Sequence, residues 1–149
     1  MKKIIASNCI GLVDADLLDN GTRHPNLVLL KLAGYFREHG IPYELIIDTE
    51  ANLECYQRVY LSCVFVFTKL PKFVTDFQMK HPKTWRNKLH MGGTGFYATE
   101  EDREKFDEMR RKDMAQLAMD PFLPGFSMAH QMPDYNIYIP YIEREIEKK

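Results

Sequence analysis

Apolar positions along this chain fall into short unbroken runs separated by amphipathic stretches, and the alternation predicts strands and helices in turn. Cys9–Val13 (CIGLV), reaching back toward Ile4, stops at Asp14 and Asp16, as a strand buried on both faces does. Residues 14–24 (DADLLDNGTRH) read as a polar loop holding Asn20-Gly21. Pro25 suits a first helical position, and Pro25–His39 reads as a helix with Leu27, Leu30, Ala33 and Gly34 near one face. Gly40 follows as a left-handed cap, and Tyr43–Ile47 is a second strand ending at Asp48.

Strand, helix and strand in that order imply a parallel pair with a right-handed crossover. Arg58–Phe67 (RVYLSCVFVF) reads as a third, central strand, since it is almost continuously apolar. Leu70–Met79 reads as a short helix packing through Phe73, Val74 and Phe77 and stopped by Pro82. Lys88–Met91 is a fourth strand running into Gly92-Gly93-Thr94-Gly95. Thr99-Glu-Glu-Asp102 resembles a capping box opening a charged helix to about Leu117, whose mixed signs suit a solvated face. Pro121, Pro124 and Gly125 break it, and a Met- and Tyr-rich tail (MPDYNIYIPYIEREIEKK) reads as irregular docking chain with a final helical turn or two. The expected architecture is a three-layer, doubly wound α/β fold with flavodoxin-like or Rossmann-like strand order 2-1-3-4 and an extra edge element. It forms one domain over 1–149, with a core over about 1–98 and the charged helix and docking tail over 99–149.

Composition narrows the partners. The chain has 149 residues, and one domain of that length buries about 68–70% of its unfolded surface. Twenty basic against 21 acidic residues leave a formal charge of −1, which gives no footprint for nucleic acid or an anionic membrane. The longest apolar run, Val59–Phe67, falls short of the roughly 20 residues that span a bilayer. The N-terminal apolar stretch is interrupted at Ser7 and Asn8, so no secretory leader is read. Cys9, Cys55 and Cys63 are an odd number without a C-x-x-C pair, pointing to free thiols and a cytoplasmic protein.

Candidate chemistry lies at the carboxyl ends of the strands, where open α/β sheets bind ligands. Those ends carry Asp14 and Asp16, then Ser62 and Cys63, then Gly92, Gly93, Thr94 and Gly95. Glycines there allow close approach to backbone, and their N–H groups suit anions. The plain alternative is that Gly92–Gly95 is a tight turn.

Spacing adds a resemblance. Asp16-Leu17-Leu18-Asp19-Asn20-Gly21 is followed by 40 residues and then Ser62-Cys63-Val64, and after 27 more comes Gly92-Gly93. This is similar to the D-x-H-x-x-G, S-x-L and G-G pattern of cobalamin-binding domains. IGLVDAD, HPNLVLLKLAGY, VYLSCVF, GGTGF and PDYNIY further resemble the cobalamin-binding-like N-terminal domain of radical S-adenosylmethionine proteins, over about residues 4–139. The resemblance implies cobalamin as cofactor, with Ser62, Gly92 and Gly93 beside its nucleotide tail. Val64 stands for the pattern's leucine. Position 18, where the cobalt-ligating histidine would stand, is Leu18, which has no lone pair to offer. The cluster-binding C-x-x-x-C-x-x-C is absent from this sequence, so no iron–sulfur cluster and no independent radical catalysis are expected.

His24, His39, His81, His90 and His130 show no metal-ligand spacing, and no metal site or catalytic residue is assigned. Ser62 lacks the G-x-S-x-G context of a nucleophile, and Cys63 reads as a core thiol. Tyr135, Tyr138 and Tyr141 recur every third residue and suit packing on a sheet edge or a dimer interface. The leading expectation is a non-catalytic cobalamin-binding-like ligand module. One alternative is an interaction subunit with a vestigial cleft, docking a radical S-adenosylmethionine partner or a second copy through the tyrosine-rich tail. Another is a small Rossmann-like nucleotide-binding protein.

Overall fold

A computed structural model describes residues 5, 7–21, 24–97 and 99–147. Four strands, β1 (Ile10–Asp14), β2 (Tyr43–Leu45), β3 (Arg58–Ser62) and β4 (Leu89–Gly92), form one parallel sheet in the order β2-β1-β3-β4. This is the flavodoxin-like α/β arrangement that the apolar runs predict. Among the described residues five α-helices accompany it: α1 (Ala15–Asn20), α2 (Leu27–Glu38), α3 (Lys72–Lys80), α4 (Arg103–Ala118) and α5 (Ile139–Glu147). No fifth strand occurs among the described residues, and none of their helices is long and apolar enough to cross a membrane.

The two faces of the sheet follow the period-2 rule of strands. Ile10, Leu12 and Tyr60 face a core built with Leu29, Leu32, Ala33 and Phe36 of α2, joined by Leu117, Leu123 and Tyr138. Val13, Val59, Leu61 and Leu89 face a second core with Phe73 and Val74 of α3, against which Phe77 and Leu18 pack. Helix α2 ends in a Schellman motif: Gly40 adopts φ +66°, its N–H donates to Arg37 O (3.2 Å), and Ile41 N–H donates to Phe36 O (2.9 Å). Gly34 lies in the middle of α2 for a different reason. The tail backbone crosses there, and Asp134 N–H donates to Leu30 O at 2.8 Å. A Cβ on Gly34 would overlap the Met132 carbonyl oxygen.

Several expected boundaries shift, each for a local physical cause. The stretch read as a polar loop after β1 holds helix α1, because Asp14 caps it by accepting from Leu17 N–H (3.1 Å) and Gly21 closes it at φ +68°. Residues 22 and 23 of that stretch, and the extension of β1 back to Ile4, lie outside the described residues. Pro25 precedes the cap of α2 instead of opening the helix: Asn26 is the N-cap, accepting from Leu29 N–H (3.1 Å), and Leu27 faces solvent. Strand β3 stops at Ser62, and Val64, Phe65, Val66 and Phe67 are exposed loop. The cause is Asp16, whose carboxylate accepts from Val64 N–H (2.8 Å), Phe65 N–H (3.1 Å) and the Thr68 hydroxyl (2.6 Å) and bends the chain off the sheet. Helix α4 begins after Asp102, which accepts from Glu104 and Lys105 N–H, so Thr99 is not its cap.

Candidate functional site

The register of the sheet sets Asp14, Ser62 and Gly92 side by side, one on each of β1, β3 and β4, at their carboxyl ends. Beyond this row the chain turns at Gly93, whose φ of +113° suits glycine alone. A Cβ there would sit 3.0 Å from the carbonyl carbon of Cys63 and nearer still to its oxygen. The exits of β3 and β4 are laced together: Cys63 N–H donates to Gly92 O (3.0 Å), Gly95 N–H to Cys63 O (2.8 Å), and the Thr94 hydroxyl to Val64 O (2.9 Å).

A hollow of about 410 Å³ opens over this rim, within the size range of small-molecule sites. Of the residues singled out from the sequence, Asp14, Asp16, Ser62, Gly93 and Thr94 line it. Cys63 and Gly95 do not. They pack on each other, with room for no more than hydrogen at Gly95 Cα. Gly92 lines an adjoining slot on the α2 face of the sheet, closed by Tyr60, His90 and Leu117 down to about 30 Å³, room for about one water, and on its other side a shallow hollow of about 210 Å³ with Phe96 and Met109. A larger hollow of about 630 Å³ lies between residues 49–54 and α3. Its walls include solvated charges of both signs (Glu50, Glu54, Lys72, Lys80), and none of the glycine backbone at the strand exits opens into it.

Most of the polar groups on the rim are already engaged. Asp14 is buried and accepts from Leu17 N–H and from the Tyr138 hydroxyl (2.7 Å). Burial raises its pKa above the ordinary carboxylate value, partly offset by these two bonds. The Tyr138 oxygen in turn accepts from Asn26 N–H (2.9 Å), and Asn26 Nδ2 donates to Ser62 Oγ (2.7 Å). Asp14, Tyr138, Asn26 and Ser62 therefore form one continuous buried network joining β1, the tail, α2 and β3. Burial, reinforced by the charge of Asp16, pushes the Cys63 thiol up to about 11, so it is un-ionised and inert at neutral pH.

Reasoning from sequence misses Asn26, Tyr138, Arg110 and Asp113. Asn26 carried a readable signal, an Asx residue just before an apolar periodic run. Tyr138 is buried while Tyr135 is exposed and Tyr141 half-buried, so the threefold spacing of the tyrosines hides three different environments. Arg110 and Asp113 come to the rim from the charged helix α4, where nothing in the local pattern separates them from their solvated neighbours. Position 18 packs toward the second core, so Leu18 serves there as an apolar residue. His39 Nδ1 lies 2.8 Å from Tyr35 O and His81 Nε2 2.9 Å from Glu54 Oε1; among the described residues no group of three or more His, Cys, Asp or Glu is placed to hold a metal ion.

Comparison of the chain with protein-family models, with curated proteins and with solved structures finds no match.

Proposed function

We propose that the chain is a cobalamin-binding-like ligand module without catalysis of its own, taking its ligand over the rim of β1, β3 and β4. The observation that carries this reading is the 410 Å³ hollow floored by Ser62, Gly93 and Thr94 and walled by Leu27, Val28 and Phe65. Its lining suits an amphipathic ligand, with apolar walls for a planar body and backbone and Arg110 for polar groups. The order of the sequence motifs is what makes a corrinoid the first ligand to test.

The fit is partial, and the boundary is physical. The rim admits a group of nucleotide size. The adjoining slot, at about 30 Å³, does not admit an inserted nucleotide tail while α4 lies where it does. Asp14 and Asp16 are committed to structural hydrogen bonds, Ser62 accepts from Asn26, and Cys63 is un-ionised, which supports positioning over acid–base or nucleophilic work. Hydroxocobalamin added to the purified protein should give a saturable change in its visible spectrum and co-elute in gel filtration at micromolar protein. Loss of all colour from the protein fraction overturns the cofactor reading.

A second reading, an interaction subunit, is favoured by one surface. Helix α5 exposes Ile139, Ile142 and Ile146 along a single stripe. If that stripe pairs two copies of the chain, sedimentation shows a concentration-dependent dimer that Ile142→Asp abolishes; a monomer at all concentrations excludes it.

A further inference from the structure

The end of β4 is a notch made by Gly92 and Gly93, and a carboxylate is seated in it. Gly93 N–H donates to Asp113 Oδ2 at 2.9 Å. A Cβ on Gly92 would lie 3.2 Å from Asp113 Cγ and would overlap Oδ1. The same Asp113 lines the rim hollow and the closed slot, as Val28, Ser62, Gly93 and Met114 do, and it also lines the shallow hollow of about 210 Å³ onto which Gly92 and Gly93 open. Behind it, His90 Nε2 is buried with no hydrogen-bond partner, and burial holds that imidazole below its ordinary pKa. Arg110, one turn earlier on α4, lines the rim hollow.

Helix α4 is held unevenly. Leu117, near its carboxyl end, is the only one of its 16 residues that is buried. Just beyond it Asp120 accepts from Arg58 Nη2 (3.0 Å), the Tyr60 hydroxyl (3.0 Å) and Phe122 N–H (2.8 Å), and Leu123 is fully buried. The amino-terminal part rests on an edge-to-face contact of Phe106 with Tyr97 (5.2 Å between centroids), and Asp113, one turn before Leu117, ties the carboxyl half to Gly93. A helix pinned at one end and lightly held at the other opens about the pinned end.

We infer that the Gly92–Gly93 notch is an anion subsite for a phosphate or carboxylate group of the ligand, and that Asp113 fills it from within as a built-in competitor. This deepens the reading of the rim as a ligand site and rests on it. A backbone N–H presented by a glycine turn binds anions without a side chain. An incoming anion exchanges with the Asp113 carboxylate at Gly93 N–H and gains the Arg110 guanidinium. Tethered beside the notch, Asp113 competes at high effective concentration, so the intact protein binds a free anion weakly.

The test follows the Gly93 amide by ¹⁵N NMR in the full chain, titrated separately with inorganic phosphate and acetate. In Asp113→Ala the Gly93 signal should move saturably, with an affinity at least tenfold above wild type. Adding Arg110→Gln to that variant should reverse about tenfold of the gain. The better of the two anions names the ligand group. A Gly93 signal in Asp113→Ala that ignores both anions while the rest of the spectrum stays native overturns the subsite. Equal affinity in wild type and variant overturns the competition. Should Asp113→Ala lose its native spectrum, Asp113→Asn, which keeps the shape and removes the charge, gives the same comparison with a smaller gain. Hydroxocobalamin titrated into the same samples separates the two layers. If it binds wild type and variant alike with no anion effect at Gly93, the subsite fails and the rim reading stands; anion binding without hydroxocobalamin binding does the opposite.

Discussion

Replacing Gly34 by Ala should destabilise this protein, although helix propensity predicts the reverse. In an unobstructed helix interior the change stabilises by about 1 kcal/mol. Here the new methyl would lie 3.0 Å from the Met132 carbonyl carbon and 3.3 Å from that of Pro133, with the Met132 oxygen closer still. The obstruction is backbone, which cannot rotate aside, so the 132–134 segment must retreat by about 1.5 Å or more to reach ordinary contact. That retreat breaks the bond from Asp134 N–H to Leu30 O and loosens Ile137 and Tyr138, both buried. Overpacking costs about 1–3 kcal/mol and the lost hydrogen bond about 1 more, against the gain of about 1 from propensity. The net expectation is a loss of about 2 kcal/mol, or about 4–8 °C in Tm for a domain of this size. Urea unfolding measures the loss, and hydrogen exchange at residues 132–138 should quicken with it. A variant as stable as wild type or more so, with its tail amides still protected, refutes the crossing of α2 by the tail.

Other outcomes follow from the same contacts. Tyr138→Phe leaves Asn26 N–H and the Asp14 carboxylate each short of a buried partner and should cost about 2–4 kcal/mol in chemical denaturation; a loss below about 0.5 contradicts the network. Asp14 has its pKa raised by burial, so the folded chain holds its proton more tightly than the unfolded chain. Its contribution to stability is full below the unfolded value of about 3.9 and is lost as pH rises through the raised folded value. Removing the Tyr138 hydroxyl should move the Asp14 carboxyl titration, read by ¹³C NMR, to still higher pH; a downward move contradicts the assignment. Cys55 is exposed while Cys9 and Cys63 are buried, so a thiol reagent should label one cysteine in the native protein and all three in denaturant. Rapid labelling of Cys63 in the native state would contradict its place under the rim.

The two central strands were legible because β1 and β3 are largely apolar runs with polar punctuation at their carboxyl ends, the mark of parallel strands buried on both faces, while the half-buried edge strands β2 and β4 were legible from their place between helices and turns. Ser62, Gly93 and the two aspartates were legible as rim residues for the same reason: strand ends converge whatever the intervening chain does. What stayed hidden depends on contacts distant in sequence. Nothing in RVYLSCVFVF announces that the strand stops at Ser62, since the stop is imposed by Asp16, nearly fifty residues upstream. Asp113 sits in EEDREKFDEMRRKD among charges of both signs, and only the fold brings it to Gly93, twenty residues back. Tyr138 reaches Asp14 across 124 residues. The pattern of apolar positions reports which face of an element is buried, but it carries no record of which polar group a distant segment supplies.

The amide spectrum of the ¹⁵N-labelled chain titrated with hydroxocobalamin tests the central claim most directly. Saturable shifts are expected at Asn26, Leu27, Ser62, Val64, Phe65, Gly93 and Thr94, the residues around the rim hollow. Leu27→Glu, a charge placed on its exposed apolar wall at the start of α2 where a carboxylate suits the helix, should weaken them at least tenfold. A spectrum that does not change, or shifts confined to residues 49–54 and α3, would contradict it.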